Sequence, residues 1–361
     1  MRSAGVKTYL YHWLRALRTR DPAVLSFLEP GSGALLHSAG LQANAPRLAA
    51  LQFLNHMPAV VVDQFAPRCE IFHASNLLRV FPRRPLLSTT LHDLTAWVTP
   101  QFHRSAQVEA DRSFAERVLR PAAGIIAVSE NTRSDAVRIL GIDPERIHVI
   151  YPGVPDHYFD SISNDSARAA DVYALPGKYF LYIGTIEPRK NIDLLLTAWM
   201  SLSRSFRREH ELVLVGMPGW DCGETMNRLS VLTGERSGVR YLGYVPEPLV
   251  PSLTAGAMAT VYPSLYEGFG FPVAQAMAAG CPVITSNTSS LPEVTGNAAL
   301  LIDARSEAEL ARAIAKIAES PELRQTLRDE GRSRAQMFTW QAAAERSIEF
   351  FRDLCGAFPR R

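Results

Sequence analysis

Cysteine is scarce and unorganised in this chain. Its four cysteines, Cys69, Cys222, Cys281 and Cys355, are scattered with no Cys-x-x-Cys pair. That argues against a disulfide framework or a zinc site and fits a reducing compartment. Long apolar runs are missing: none approaches the ~20 residues that a membrane span requires. No secretory apolar segment follows Met1, so the expected location is cytoplasmic, with peripheral contact at the inner face of the membrane left open. A dominant charge is missing too. Thirty-eight Lys and Arg balance 36 Asp and Glu to a net +2, which gives no support to a nucleic-acid partner. There is no Asp-x-Asp pair to suggest a bound divalent cation, no internal repeat and no low-complexity tract.

What is present is a chain of 361 residues, 47% hydrophobic and 20% charged, long enough for two domains of ordinary size. Short apolar runs alternate with helical patterns almost throughout, which predicts an α/β architecture of Rossmann-like domains. The expected strands include residues 85–90, 124–128, 148–150, 179–183, 211–215, 239–242, 282–285 and 300–302. Weaker patterns suggest a strand near 34–37, a helix near 47–55, a short strand at 70–73 and a loop at 74–76. Residues 155–177 are polar and read as a linker. The expected division is 1–160, 175–340, and a final helix and tail at 341–361.

The N-terminus is unusual. Doubly wound domains commonly open with a buried strand that feeds a glycine loop and then a helix. Here Gly5 reads as the loop glycine, residues 7–18 already read as the helix, and the preceding strand is not visible. Either translation starts further upstream or the sheet lacks that strand. On the helix, Tyr9, Leu10, Trp13, Leu14 and Leu17 form a core-facing stripe. Lys7, His12, Arg15, Arg18 and Arg20 form a basic face, which is either a solvated surface or a contact for an anionic membrane.

Two stretches carry chemistry. Residues 261–280, VYPSLYEGFGFPVAQAMAAG, read as the end of a buried strand, a loop and a helix. Pro272 suits the first helical turn, and Gly280 suits the cap beyond the last. Gly268 and Gly270 leave backbone N–H groups without side-chain cover, and the following helix N-terminus adds to an anion site. Glu267 stands at its entrance. The second stretch follows the strand at 179–183. There Gly184, Arg189, Lys190 and a helix capped by Asn191 converge as a phosphate site. A carboxylate beside an anion cradle suits a polyhydroxylated ligand that carries a phosphate. His92 follows the strand at 85–90, at the strand end where open α/β sheets bind ligands. Asp93 either orients His92 or caps the next turn.

The strings YPSLYEGFGFPVAQAMAAGCPVI and YIGTIEPRKNIDLLLTAW resemble the signatures of retaining family 4 (group 1) glycosyltransferases, and LHDLTAW looks most like the mannosyltransferase branch. The resemblance is strong over residues 85–345 and weak over 1–76. It implies the GT-B fold: two Rossmann-like domains facing a cleft, with the C-terminal helix crossing back to the first domain. It also implies transfer of a hexose, with retention, from a nucleotide diphosphate sugar to an acceptor hydroxyl in surface polysaccharide biosynthesis. The leading donor is GDP-mannose, and the acceptor is a glycan or lipid-linked glycan. By the same resemblance, Arg189 and Lys190 grip the diphosphate without a metal or other cofactor. Glu267 and His92 reach the donor sugar. Gly5, Gly184 and the Gly268, Phe269, Gly270 and Phe271 loop cradle phosphate, and Tyr244 and Val245 hold the base through their backbone. Gln275 occupies the position of the family's second glutamate, which accepts bonds from the ribose, so donor binding should be weaker than is usual for the family. The alternatives are a catalytically impaired binding subunit of this fold, or a sugar-nucleotide epimerase.

Overall fold

The computed structural model describes residues 4–22, 69–74, 81–160, 171–175, 177–234 and 237–357. The segments expected near 34–37 and 47–55 lie outside the described residues, as does most of the expected loop at 74–76. The chain divides into two compact units, Met1–Gly153 with Trp340–Arg361, and Val154–Thr339.

The first unit is built on four parallel strands in the order β1-β2-β3-β4. They are β1 (Ile71–Ala74), β2 (Leu86–Leu91), β3 (Gly124–Ala127) and β4 (Ile147–Val149). β3, GIIA, is buried along its whole length, as expected of a parallel strand covered on both faces. Its side chains join a core with Leu91, Leu94, Leu119, Ala136, Leu140 and Ile147. The next helix, Glu130–Leu140, starts where the Ser129 hydroxyl accepts a hydrogen bond from the Thr132 N–H, and ends at Gly141 in the left-handed conformation. Ser129 is therefore the cap.

The first helix spans Ala4–Arg20, longer at both ends than the pattern suggested. Tyr9, Trp13 and Leu17 are its buried stripe. The chain returns to this unit at its end. The helix Trp340–Ala357 packs against Ala4–Arg20, and Ser347 Oγ accepts a hydrogen bond from Trp13 Nε1 at 2.9 Å.

The second unit holds six parallel strands in the order β10-β9-β8-β5-β6-β7. These are β5 (Tyr179–Ile183), β6 (Glu211–Val215), β7 (Val239–Gly243), β8 (Ala259–Tyr262), β9 (Val283–Ser286) and β10 (Leu300–Ile302). The direction of winding reverses between β5 and β8, which lie side by side. In an open α/β sheet that reversal opens a crevice beyond the carboxyl ends of the two strands. The helices Ile192–Ser201 and Glu307–Glu319 pack together, as do Phe271–Ala278 and Pro321–Ala335. Gly216, after β6, allows the chain after β5 to pass close by: a Cβ there would lie 1.8 Å from the Gly184 carbonyl oxygen.

Candidate active site

The carboxyl ends of β5 and β8 deliver the two stretches singled out in the sequence. After β5, Glu187 leads into the short turn Pro188–Lys190. Asn191 follows in the left-handed conformation and precedes the helix Ile192–Ser201. It does not cap that helix with its side chain, contrary to expectation. Its amide instead donates to the Pro263 carbonyl at 3.0 Å and the Ala304 carbonyl at 2.7 Å, tying the β5 turn to the segments that follow β8 and β10.

After β8, Pro263 and Ser264 lead to Glu267, and Gly270 (φ 96°) precedes the helix Phe271–Ala278. A side chain at Gly270 would also come within 2.8 Å of Leu291. Backbone and side-chain bonds lock the two turns together. The Leu265 N–H donates to the Arg189 carbonyl at 2.9 Å, and the Arg189 guanidinium donates to the Tyr266 carbonyl.

These bonds bring Arg189, Lys190 and Glu267 into one buried cluster. Lys190 Nζ lies 2.6 Å from Glu267 Oε1, and Arg189 Nη1 lies 3.0 Å from Oε2. Arg189 Nη2 also reaches Glu187 Oε1 at 2.7 Å. The Ser264 hydroxyl donates to Glu267 Oε1 at 2.6 Å and the Tyr262 hydroxyl at 3.0 Å. Burial alone would raise the Glu267 carboxyl. The Arg189 and Lys190 charges, with hydrogen bonds from Lys190 and Ser264, outweigh it and hold the group well below the usual carboxylate range. For Glu187 burial wins and its pKa is raised, although Arg189 and Lys190 oppose it. Burial and then the neighbouring Arg189 lower Lys190, against the pull of Glu267 and Glu187.

The rest of the expected set is distributed as follows. Gly184 lies in the turn after β5, and Gly268, Phe269, Gly270 and Phe271 link Glu267 to the helix. The Phe269 side chain is a core group, packed on Phe271 and Phe338 at ring-centroid distances of 5.4 and 5.3 Å. Gln275 is half-buried on the same helix. Beyond β7, Tyr244 is exposed and Val245 buried.

His92 belongs to the first unit. It follows β2, its ring meets Tyr9 edge-on at 4.8 Å, and burial holds its pKa down at about 4 against the opposing Asp93. Asp93 accepts hydrogen bonds from the Thr95 N–H at 3.1 Å and hydroxyl at 2.6 Å, and so secures the next turn. Gly5 departs from expectation. It lies in the first turn of the helix Ala4–Arg20, not in a loop. The first helical N–H groups need no intrahelical partner, so a glycine there does not by itself mark a loop.

Glu187, Tyr262 and Ser264 carry no signal of a site role in the sequence. Glu187 sits inside the quoted IEPRKN string, but its spacing gives no sign of the partner. Tyr262 and Ser264 read only as a strand end and its breaker. Among the described residues, no group of three or more His, Cys, Asp or Glu side chains is placed to hold a metal ion. No described helix is long and apolar enough to cross a membrane.

The family model for glycosyl transferases group 1 matches residues 165–334, and the model for glycosyltransferase family 4 matches residues 3–158. The O-antigen chain mannosyltransferase B of Escherichia coli is 34% identical over 266 residues, covering 73% of this chain and 69% of that protein. The chain belongs to the family 4, group 1 glycosyltransferases. A D-inositol 3-phosphate glycosyltransferase of Thermomonospora curvata is 28% identical over 250 residues, covering 65% of this glycosyltransferase and 58% of that protein. The structure of Anabaena HepE in complex with UDP and glucose superposes with a TM-score of 0.69 at 20% identity, over 81% of this chain and 80% of that one. The two parallel-sheet α/β units are those of the GT-B fold, and the protein is a sugar-transferring enzyme.

Proposed function

We propose that this glycosyltransferase moves mannose from GDP-mannose to a hydroxyl of a growing surface polysaccharide, with retention at the anomeric carbon. The observation that carries the reading is the pairing of Arg189 and Lys190 with Glu267 at the winding reversal of the second unit. As the sugar–phosphate bond breaks, negative charge grows on the leaving diphosphate. Two fixed cations and the Gly268–Phe271 backbone meet that charge with donors already in place, the arrangement that most lowers a barrier of this kind. No metal is then required. Glu267 accepts bonds from the sugar hydroxyls, Gln275 from the ribose, and the backbone at Tyr244 and Val245 holds the base.

Mannose is favoured because the Escherichia coli relative is named a mannosyltransferase of the O-antigen chain. A lipid-linked acceptor would suit a basic helical surface, and Lys7, Arg15 and Arg18 are exposed on Ala4–Arg20. The test is a donor panel with a released-nucleotide readout on the purified protein supplied with a synthetic lipid-linked glycan acceptor: GDP-mannose, UDP-glucose, ADP-glucose and GDP-fucose. Release of GDP from GDP-mannose, with an α-linked mannosyl product by NMR, is expected. Preferential release of UDP, a nucleotide bound in the Anabaena HepE structure, would reassign the donor. Turnover of none would favour a binding subunit.

A further inference from the structure

Lysine is a flexible reagent. Its ammonium sits on a four-carbon stem and can only donate, through three N–H groups. In this enzyme two of the three are committed. One goes to Glu267 Oε1 and one to the Tyr262 hydroxyl, each at 2.6 Å. Among the described residues the Lys190 ammonium has no third hydrogen-bond partner. Because Lys190 cannot accept, the Tyr262 oxygen must, and the phenolic proton is directed to Glu267 Oε1 at 3.0 Å. The bonds therefore run one way, from Lys190 through Tyr262 to Glu267.

Tyr262 is well built for holding a neighbour still. It ends β8, is 1% exposed, and stacks on Tyr182 at 5.9 Å and 16° between ring planes. Its carbonyl accepts from the Thr285 hydroxyl on β9 at 2.7 Å. Tyr182 is anchored in turn by its hydroxyl bond to the Thr185 carbonyl at 3.1 Å. The ring is thus braced by β5 and its backbone is held by β9, on either side of β8.

We infer that Tyr262 is a positioning residue for the transfer, whose hydroxyl fixes the Lys190 ammonium so that one N–H remains for the departing diphosphate. The inference rests on the phosphate role proposed above for Lys190. If Tyr262 only filled the core, its ring would matter and its hydroxyl would not.

Tyr262→Phe separates the two, because it keeps the ring and its stacking. With whichever nucleotide sugar the wild type turns over, kcat should fall roughly 10- to 100-fold. That is less than the roughly 100- to 1,000-fold lost when a charge-stabilising donor is itself removed. The donor KM should change by less than about threefold, since the bond matters most as charge develops. In a Lys190→Met background the same substitution should remove no further activity. Unchanged kcat, or equal fractional losses in both backgrounds, would overturn the inference.

A second readout does not depend on turnover. With ¹⁵N-labelled lysine, a slowly exchanging ammonium signal that disappears in Lys190→Met should also broaden or vanish in Tyr262→Phe. Its persistence unchanged in Tyr262→Phe would overturn the inference. If the wild type turns over no nucleotide sugar, the proposed function falls and the ammonium signal alone decides.

Discussion

Each unit of this enzyme buries a polar group at its sheet, and the two groups are built on opposite principles. In the first unit, His73 on β1 is bracketed by hydroxyls of β2, with Nδ1 2.9 Å from Ser88 Oγ and Nε2 3.0 Å from Thr90 Oγ1. Beside it, the buried Tyr9 ring meets His92 edge-on. Every member is uncharged. Burial and the nearby His92 keep the His73 pKa at about 3. In the second unit, Glu187, Arg189, Lys190 and Glu267 put four ionisable groups into one buried site.

A neutral network of hydroxyls and imidazoles can stabilise a core through satisfied hydrogen bonds. A buried ion cluster seldom gains stability over an apolar replacement, because desolvation offsets the attraction. The difference teaches where to look for chemistry. The second unit keeps an arrangement that stability alone would not favour, at the winding reversal where such sheets bind ligands.

The largest expected effect tests the charged half of this contrast. Glu267→Ala leaves two buried cations short of their shared counter-ion and should destabilise the second unit by about 3–5 kcal/mol, read as a lower denaturant midpoint. An unchanged midpoint would mean that the cluster is more hydrated than its burial indicates.

A smaller effect separates the units by pH. His73 and His92 titrate at about 3 and about 4 when folded, below the ordinary histidine value. The unfolded chain therefore binds more protons below pH 6.5. The stability of the first unit is fully present above that value and is lost as pH falls from 6.5 towards 3–4. At pH 5 the loss is about 2 kcal/mol for each histidine. Glu267 is depressed, so its contribution persists until pH falls below the ordinary carboxylate range. Between pH 7 and 5 the amides of β2 and β3 should lose exchange protection, corrected for intrinsic rates, while those of β5 and β8 keep theirs. Removing the titrating group with His73→Gln should reduce that pH dependence. Parallel loss in both units would erase the contrast.

The smallest expected effect is that of a chelator. If the two cations serve the diphosphate unaided, excess EDTA should leave turnover largely intact. Complete loss that Mg²⁺ or Mn²⁺ restores would count against the metal-free reading.

Much of this was legible in the sequence, for identifiable reasons. β5 (Tyr179–Ile183) and β10 (Leu300–Ile302) stand out because apolar residues run unbroken between polar turns, as parallel strands require. The two site stretches stand out because glycines, a helix start and basic residues fall together. The pairing of Lys190 with Glu267 was not legible. The residues are 77 apart in the chain, and only the order β8-β5 makes their turns neighbours. The His73 network was hidden similarly, since PLLSTT shows a strand but not the histidine on β1 that its hydroxyls serve. Local rules make Asn191 a cap. Its left-handed backbone and two distant carbonyls gave it other work.

Whether the cations after β5 meet the leaving group's charge is decided by single-turnover transfer with Lys190→Met, which keeps the apolar stem and removes the charge. A loss of roughly 100- to 1,000-fold in the rate of nucleotide diphosphate release is expected, in a protein that melts lower, because Glu187 and Glu267 then share Arg189 alone, but stays folded at the assay temperature. A rate equal to the wild type's would contradict it, and would mean that the cations after β5 do not meet the charge of the leaving group.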